Sequence, residues 1–479
     1  MPATFPLFQE LVPAPDPVDC FYRLTGLPHL LYLDSAAKRE ELGQFSYLTA
    51  DPFRFLEVRD NSFVVDGRPE AIAAGVTPLD LLAREMAPFL ATPLAELPPF
   101  QGGAAGVFGY ELSRYFERLP IAPADDIQLP DLSIGLYDWL LSWDHRTGRA
   151  WVVSTGYPEL DPSRRRRRAT DRIAMIVRRL NESARKRTRQ WPERSAVERR
   201  GWPVPGRAGL RSNFDPREYA QVVRRAIEYI HAGDCFQVNV AQRLFAPFAS
   251  DPIELYVHLR ERNAATFAGY FDQGQFILAS ASPERFLQVD RGMVRTRPIK
   301  GTRPRLADPV LDEQQRAALA ASSKDRAENV MIVDLLRNDL GRVCAYGSIQ
   351  VPSLCQVESY AYVHHLVSEV QGRLCPGRTP LDLIRASFPG GSITGAPKIR
   401  AMEIICELEA CARGWYCGSL GFLGFDGSMD TNLLIRSFVI YPGGVQFSVG
   451  GGIVADSDPG REYEETWHKA EGMLRALSL

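Results

Sequence analysis

Lys300 stands in TRPIKGTRPR, residues 296–305, among arginines and prolines, and a lysine there has two readings. An exposed cation in a basic loop is the common one. The other is a chemical amine. A nucleophilic lysine must be partly neutral, and desolvation or nearby cations such as these arginines lower its pKa toward that state. Glu284, in the SPE segment 282–284, precedes it in the chain. A carboxylic acid beside an amine could supply the proton for a departing hydroxyl. Two further acidic pairs have helical spacing: Asp325 with Glu328 in KDRAENVMIVDLLRNDL, and Glu462 with Glu465 in REYEETWHKAEGML, where Lys469 follows. Each pair falls on one helix face. Two such faces opposed would offer oxygen ligands to a hard cation, above all Mg²⁺ with waters retained. Spacing alone does not separate that from two solvated helices.

The elements that must position these groups carry their own signals. RFLQVDRGMVRTRPI reads as a hairpin turning at Asp290-Arg291-Gly292, which would bring Glu284 and Lys300 onto paired strands. FPGGSITGAPKIRAMEII has a P-loop's glycine spacing at Gly390 and Gly395, but Ala396 and Pro397 stand where Lys and Ser/Thr are required. What is left is a glycine turn delivering a helix with Pro397 in its first turn, either a tight loop or a receptor for a carboxylate. Gly450, Gly451 and Gly452 at a strand end pose the same choice, since backbone amides there approach a ligand with no Cβ in the way. DPREYAQVVRRAIEYIHAGD predicts a helix capped by Asp215, with Pro216 at its first position, a capping box to Glu218 and a stop at Gly233. CFQVNVAQRL alternates with period two, Phe236, Val238 and Val240 on one face and Gln237, Asn239 and Ala241 on the other. That polar face is a cavity lining or the outside of an edge strand.

Composition bounds the rest. A chain of 479 residues with net charge −2 gives no global reason to expect nucleic acid or an anionic membrane as partner. No apolar run approaches the roughly 20 residues of a membrane span. The Pro-rich, acidic N-terminus lacks the features of a secretory signal, and the eight cysteines have neither zinc spacing nor a disulfide pattern; a reducing, cytoplasmic setting is expected. The Arg-rich stretch 160–212 reads as a solvated helix and linker, with an anion-binding patch as the alternative. It separates an N-terminal part, 1–205, rich in short strands such as FRFLEV, SFVVDG and RAWVVST, from a region 206–479 that carries the chemistry.

Taken in order, GDCFQVNVAQR, ASPERF, PIKGT, DRAENVMIVDLLRNDLGR, VHHLVSEV, FPGGSITGAPKIRAMEII, IRS and GGGIVADS resemble the chorismate-utilising enzymes, densely over 210–479 and more loosely through FQGGAAGVFGYE. The resemblance implies an α+β fold: two antiparallel sheets packed as a sandwich with outer helices, built from two interleaved lobes. It also implies roles. In PIKGT the lysine resembles that of the family's aminodeoxychorismate synthases, whereas anthranilate synthases, the alternative, carry alanine there. Lys300 would then attack C2 of chorismate, with Glu284 as general acid/base. Glu328 and Glu465 would hold Mg²⁺, with Asp325 and Glu462 behind them. Tyr416 and Arg436 would take the enolpyruvyl carboxylate together with the backbone at Gly450, Gly451 and Gly452, and Thr302 and His365 would line the ring. Gln237 falls where isochorismate and salicylate synthases have a water-activating lysine, which argues against those activities. The expected role is the aminating component in 4-aminobenzoate and folate synthesis. No G-x-C-x-G glutaminase segment occurs, so ammonia is expected from solution or a separate glutamine amidotransferase subunit. HLLYLDSA, with Ser35, resembles part of the family's tryptophan pocket, but NAATFAGYF (263–271) departs from the partner motif, so tryptophan stays an open expectation.

Overall fold

The predicted helix at 216 forms as Pro216–His231, with the reciprocal capping box between Asp215 and Glu218 and Gly233 in the left-handed region just past its end. Asp215 accepts from the amides of Arg217 and Glu218, which satisfies donors that every helix start leaves free. This computed structural model describes residues 5–37, 42–71, 73, 75–182, 201–360 and 363–478.

Two antiparallel sheets of thirteen and twelve strands form the frame. In the larger, Leu31–Asp34 from the N-terminal part pairs with Phe267–Asp272. The order then runs through Ile277–Ser282, Ser437–Tyr441 and Gly444–Ile453 to Gln237–Pro247. In the smaller, Gly103–Phe108 and Leu132–Tyr137 continue a run of Arg285–Asp290, Met429–Asn432 and Ser419–Gly424. Each sheet thus draws strands from both halves of the sequence. Between the sheets lies an apolar layer with Phe100, Ala105, Phe271, Leu278, Phe422 and Val439 from both. Phe100 stacks on Phe422 with ring centroids 4.4 Å apart. Strands covered on both faces read as continuous apolar runs, which is why Ser419–Gly424 and Leu132–Tyr137 are buried throughout. Helices close the outer faces: Pro459–Ala476 packs on Gly444–Ile453, and Ser323–Gly341 on Val363–Arg373. The α+β sandwich with outer helices is therefore present.

Three local expectations change. The hairpin forms, Arg285–Asp290 against Met293–Thr296, with Arg291 and Gly292 both at positive φ as a two-residue turn requires. Lys300, however, lies on the next strand, Ile299–Pro304, which pairs with Val363–Arg373 and not with the strand after Glu284. The glycine turn does feed a helix, Lys398–Glu409, but Pro397 is its N-cap residue rather than a member of its first turn. The Arg-rich helix, Pro162–Asn181, is only partly solvated. Arg168 and Arg172 reach the buried Asp138 at 2.9 and 3.3 Å, so two of its arginines serve the interior. Residues 183–200 of that stretch lie outside the described ones. The eight cysteines are free thiols, and no described helix is long and apolar enough to cross a membrane.

Candidate active site

Lys300 lies at the smaller sheet's margin, where the two acidic helices converge. Its amine has no carboxylate within 4.0 Å among the described residues, yet Glu328, Glu284 and Glu465 all act on it electrostatically. Desolvation outweighs those carboxylates and lowers its pKa, with Lys469 adding to the effect. Lys300 as a whole residue is still partly accessible. Glu284 is the buried counterpart, 5% exposed. Burial pushes its carboxyl up to about 7, against the opposing pull of a hydrogen bond from Ser392, the charge of Lys300, a backbone bond from Ile299 and the charge of Arg436. The Ser392 hydroxyl donates to Glu284 Oε1 at 2.8 Å. Ile299 is the residue before Lys300, so the strand that carries the amine also supplies a backbone donor to the acid.

Both acidic pairs are helical as expected, on Ser323–Gly341 and Pro459–Ala476. Burial raises Glu328, with Glu465 among the smaller contributors. Glu465 is lowered: burial opposes this, but Lys469, paired to it at 2.7 Å, prevails with help from Lys324 and Lys300. Glu462 is buried and takes the Ser457 hydroxyl at 2.6 Å. Asp325 instead meets Arg303 at 3.0 Å. Among the described residues no group of three or more His, Cys, Asp or Glu is assembled around one point.

The three glycines form the wall opposite these helices. A Cβ on Gly451 would come within 3.2 Å of Glu462 Oε2 and 3.5 Å of Glu465 Oε1. One on Gly452 would sit 2.4 Å from the Gln237 amide nitrogen, and one on Gly450 would press the Val240–Ala241 backbone. Lys469 Nζ donates to Gly450 O at 2.9 Å. Gln237 is fully buried, and neither atom of its amide has a hydrogen-bond partner among the described residues. The strand Gln237–Pro247 is interior and its polar face is buried, so that face is not an edge facing water. Phe236 precedes the strand and is exposed, and it does not share the buried face of Val238 and Val240.

Arg436, at φ +52, has no carboxylate within 4.0 Å among the described residues. Burial lowers its pKa, with Glu284 opposing, so the guanidinium is dehydrated without being neutralised. Thr302 Oγ1 bonds His365 Nδ1 at 2.8 Å across the Ile299–Pro304 and Val363–Arg373 pair. Tyr416 packs 5.6 Å from the Arg413 guanidinium. Ser35 is elsewhere. It donates to Phe45 O at 2.6 Å and borders a cavity of about 470 Å³ between the sheets. That cavity shares none of the residues around Lys300.

Sequence reasoning passed over two groups. Ser392 sits inside the quoted SITGAPK segment, so its motif was visible and its contact with Glu284 was not. Arg413 forms a buried pair with Glu409 at 2.6 Å, and nothing local in ELEACARGW announces it beyond the i, i+4 spacing.

The fold and this cluster of a dehydrated amine, a high-pKa carboxyl and two acidic helices define one class. A family model described as chorismate binding enzyme matches residues 71–475, and the chain belongs to that family. Over 466 residues it is 42% identical to aminodeoxychorismate synthase component 1 of Salmonella typhimurium, covering 97% of this chain and 96% of that one. It is also 40% identical over 463 residues to anthranilate synthase component 1 of Thermus thermophilus, covering 97% and 95%. Among solved structures, anthranilate synthase component I of Streptococcus pneumoniae superposes with a TM-score of 0.76 at 30% identity, over 90% of this chain and 92% of that one. The menaquinone-specific isochorismate synthase of Escherichia coli shares the fold, with a TM-score of 0.70 at 19% identity, over 99% and 95%.

Proposed function

We propose that the chain is the aminating component of an aminodeoxychorismate synthase, making 4-amino-4-deoxychorismate from chorismate and ammonia for 4-aminobenzoate and folate synthesis. Overall identity separates the two component 1 activities by little, so the choice rests on Lys300. The observation that carries it is that this lysine is a dehydrated amine beside a carboxyl held near 7.

In this reading neutral Lys300 attacks C2 while the C4–O bond breaks. Glu284 gives its proton to the departing oxygen, which leaves as water. Ammonia then bonds to C4, the C2–N bond breaks, Lys300 departs as an amine, and a proton from the new ammonium returns to Glu284. The sum is chorismate plus ammonia giving aminodeoxychorismate plus water. Arg436, dehydrated and unneutralised, suits a planar carboxylate such as that of the enolpyruvyl group, with Tyr416 and the glycine backbone beside it. Thr302, His365 and Gln237 would border the ring. Glu328 and Glu465, on separate helices, fit Mg²⁺, which takes one or two carboxylates and completes its shell with water and substrate oxygens. When bound, Mg²⁺ supplies positive charge for the substrate's ring carboxylate. Asp325 and Glu462 would stand behind these two. Ammonia would come from a separate glutamine amidotransferase, in the cytoplasm.

Product identification tests this. Purified chain, chorismate, Mg²⁺ and ammonium should give aminodeoxychorismate, read as 4-aminobenzoate after adding a lyase. Anthranilate as the product would overturn the assignment.

The cavity at Ser35 supports a second ligand. Its 470 Å³ and mixed lining suit an aromatic amino acid, and we propose tryptophan.

A further inference from the structure

Ser392 is not a surface hydroxyl that happens to touch an acid. It is 8% exposed, and its loop is braced from three sides. The Asn239 backbone N–H donates to Thr394 O at 2.8 Å. Arg413 donates to Ile393 O at 3.0 Å and to Asn239 O at 2.9 Å, while its pairing with Glu409 holds the guanidinium in place. Gly391 lies so close to Leu335 that a Cβ there would stand 2.4 Å from Leu335 Cδ2. The backbone on either side of Ser392 is therefore fixed, and so is the point from which its hydroxyl reaches Glu284.

A protonated carboxyl has one acceptor oxygen and one O–H. With Ser392 donating to Oε1, the acid proton is left to Oε2. We propose that Ser392 is a positioning residue for the amination: by occupying Oε1 it assigns the transferable proton to Glu284 Oε2 and holds that oxygen toward the departing C4 hydroxyl. This rests on the reading of Glu284 as the general acid. No new bond to carbon is involved. The same proton passes from Glu284 to the leaving oxygen as the C4–O bond breaks and Lys300 bonds C2. The ionisable groups facing Glu284 are Lys300 and Arg436, both favouring its charged form, and the Cys417 thiol, whose own pKa it helps to raise.

The test compares Ser392→Ala, Ser392→Thr and Glu284→Gln with wild type, using chorismate, Mg²⁺ and ammonium. Losing a hydrogen bond to an ionisable carboxyl should lower kcat of Ser392→Ala about tenfold with KM for chorismate little changed. The limb of the pH–rate profile on which Glu284 loses its proton should move up by about one unit, because the bond that favoured the carboxylate is gone. Ser392→Thr should restore both. An active Glu284→Gln would overturn the assignment of Glu284 itself. An inactive Glu284→Gln with an unmoved pH limb in Ser392→Ala, or a loss that threonine does not rescue, overturns the role of Ser392 alone.

Discussion

The cleft at Lys300 and the cavity at Ser35 treat charge in opposite ways. In the cavity region Asp34, Arg285, Asp430 and Arg297 each have a close partner. Asp34 is bound by Arg260 at 2.5 Å and Tyr256 at 3.0 Å, and Arg285 grips Asp430 through two bonds of 3.0 and 2.8 Å. In the cleft, Lys300, Arg436, Glu284 and Glu328 have no ion pair within 4.0 Å among the described residues, although each is dehydrated enough to shift its pKa. Dehydrated charge without a partner is costly, so it persists where a substrate or ion completes it. Paired charge holds shape.

The largest effect expected from this contrast is at Lys300. Lys300→Ala removes the proposed attacking group, and aminodeoxychorismate formation should fall about 10³-fold or more, read by product chromatography. Full-rate synthesis by that variant would make the lysine an ordinary cation. Glu284→Gln keeps the shape but cannot release a proton, and should cost roughly 10² to 10⁴ in kcat. The pH dependence follows from the same two groups. In the proposed mechanism Glu284 must be protonated when the hydroxyl leaves, so kcat/KM should fall as pH rises through about 7. Lys300 must be neutral, so activity should also fall on the acid side, below its lowered pKa. Glu465→Gln should raise the Mg²⁺ concentration for half-activation roughly tenfold while leaving chorismate fluorescence-detected binding without metal nearly unaltered.

Much of this was legible because the signals were local. Asp215, Glu218 and Gly233 bracket their helix through contacts no more than a few residues long, and the acidic pairs needed only helical periodicity. PIKGT and SPE supplied the lysine and the glutamic acid of the proposed reacting pair by residue type. The route by which Lys300 and Glu284 meet was not legible, because strand pairing between Ile299–Pro304 and Val363–Arg373 spans some sixty residues and a hairpin was the nearer possibility. The same holds for Arg172, which looks like part of a solvated run until Asp51 and Asp138 fold onto it. Gln237 shows the limit in the other direction. Alternation gave its face, and only the neighbouring strands decide that this face is dry.

On the paired side of the contrast, effects should appear in stability. Asp34→Ala leaves Arg260 without its carboxylate in a part-buried setting, which should cost about 3–5 kcal/mol and lower the denaturant midpoint. The turnover of the fraction that stays folded is the sharper readout. If kcat per folded molecule drops as far as in Glu284→Gln, the cavity's charges belong to the chemistry and the division drawn here fails.

The smallest effect concerns ligand recognition at the cavity. Ser35 already gives its hydroxyl to Phe45 O, so Ser35→Ala frees that carbonyl without opening much space. If tryptophan binds between the sheets, it should raise Tm of the wild type by mass action, in proportion to its concentration over Kd. Loss of one neutral hydrogen bond in the wall is worth about 1 kcal/mol, or roughly fivefold in Kd. The tryptophan needed for a given shift should therefore rise by that factor in Ser35→Ala, with each variant's own tryptophan-free Tm as reference. Because the cavity contains none of the cleft's residues, chorismate should add its own stabilisation independently of tryptophan. Competition between the two would instead place them in one site.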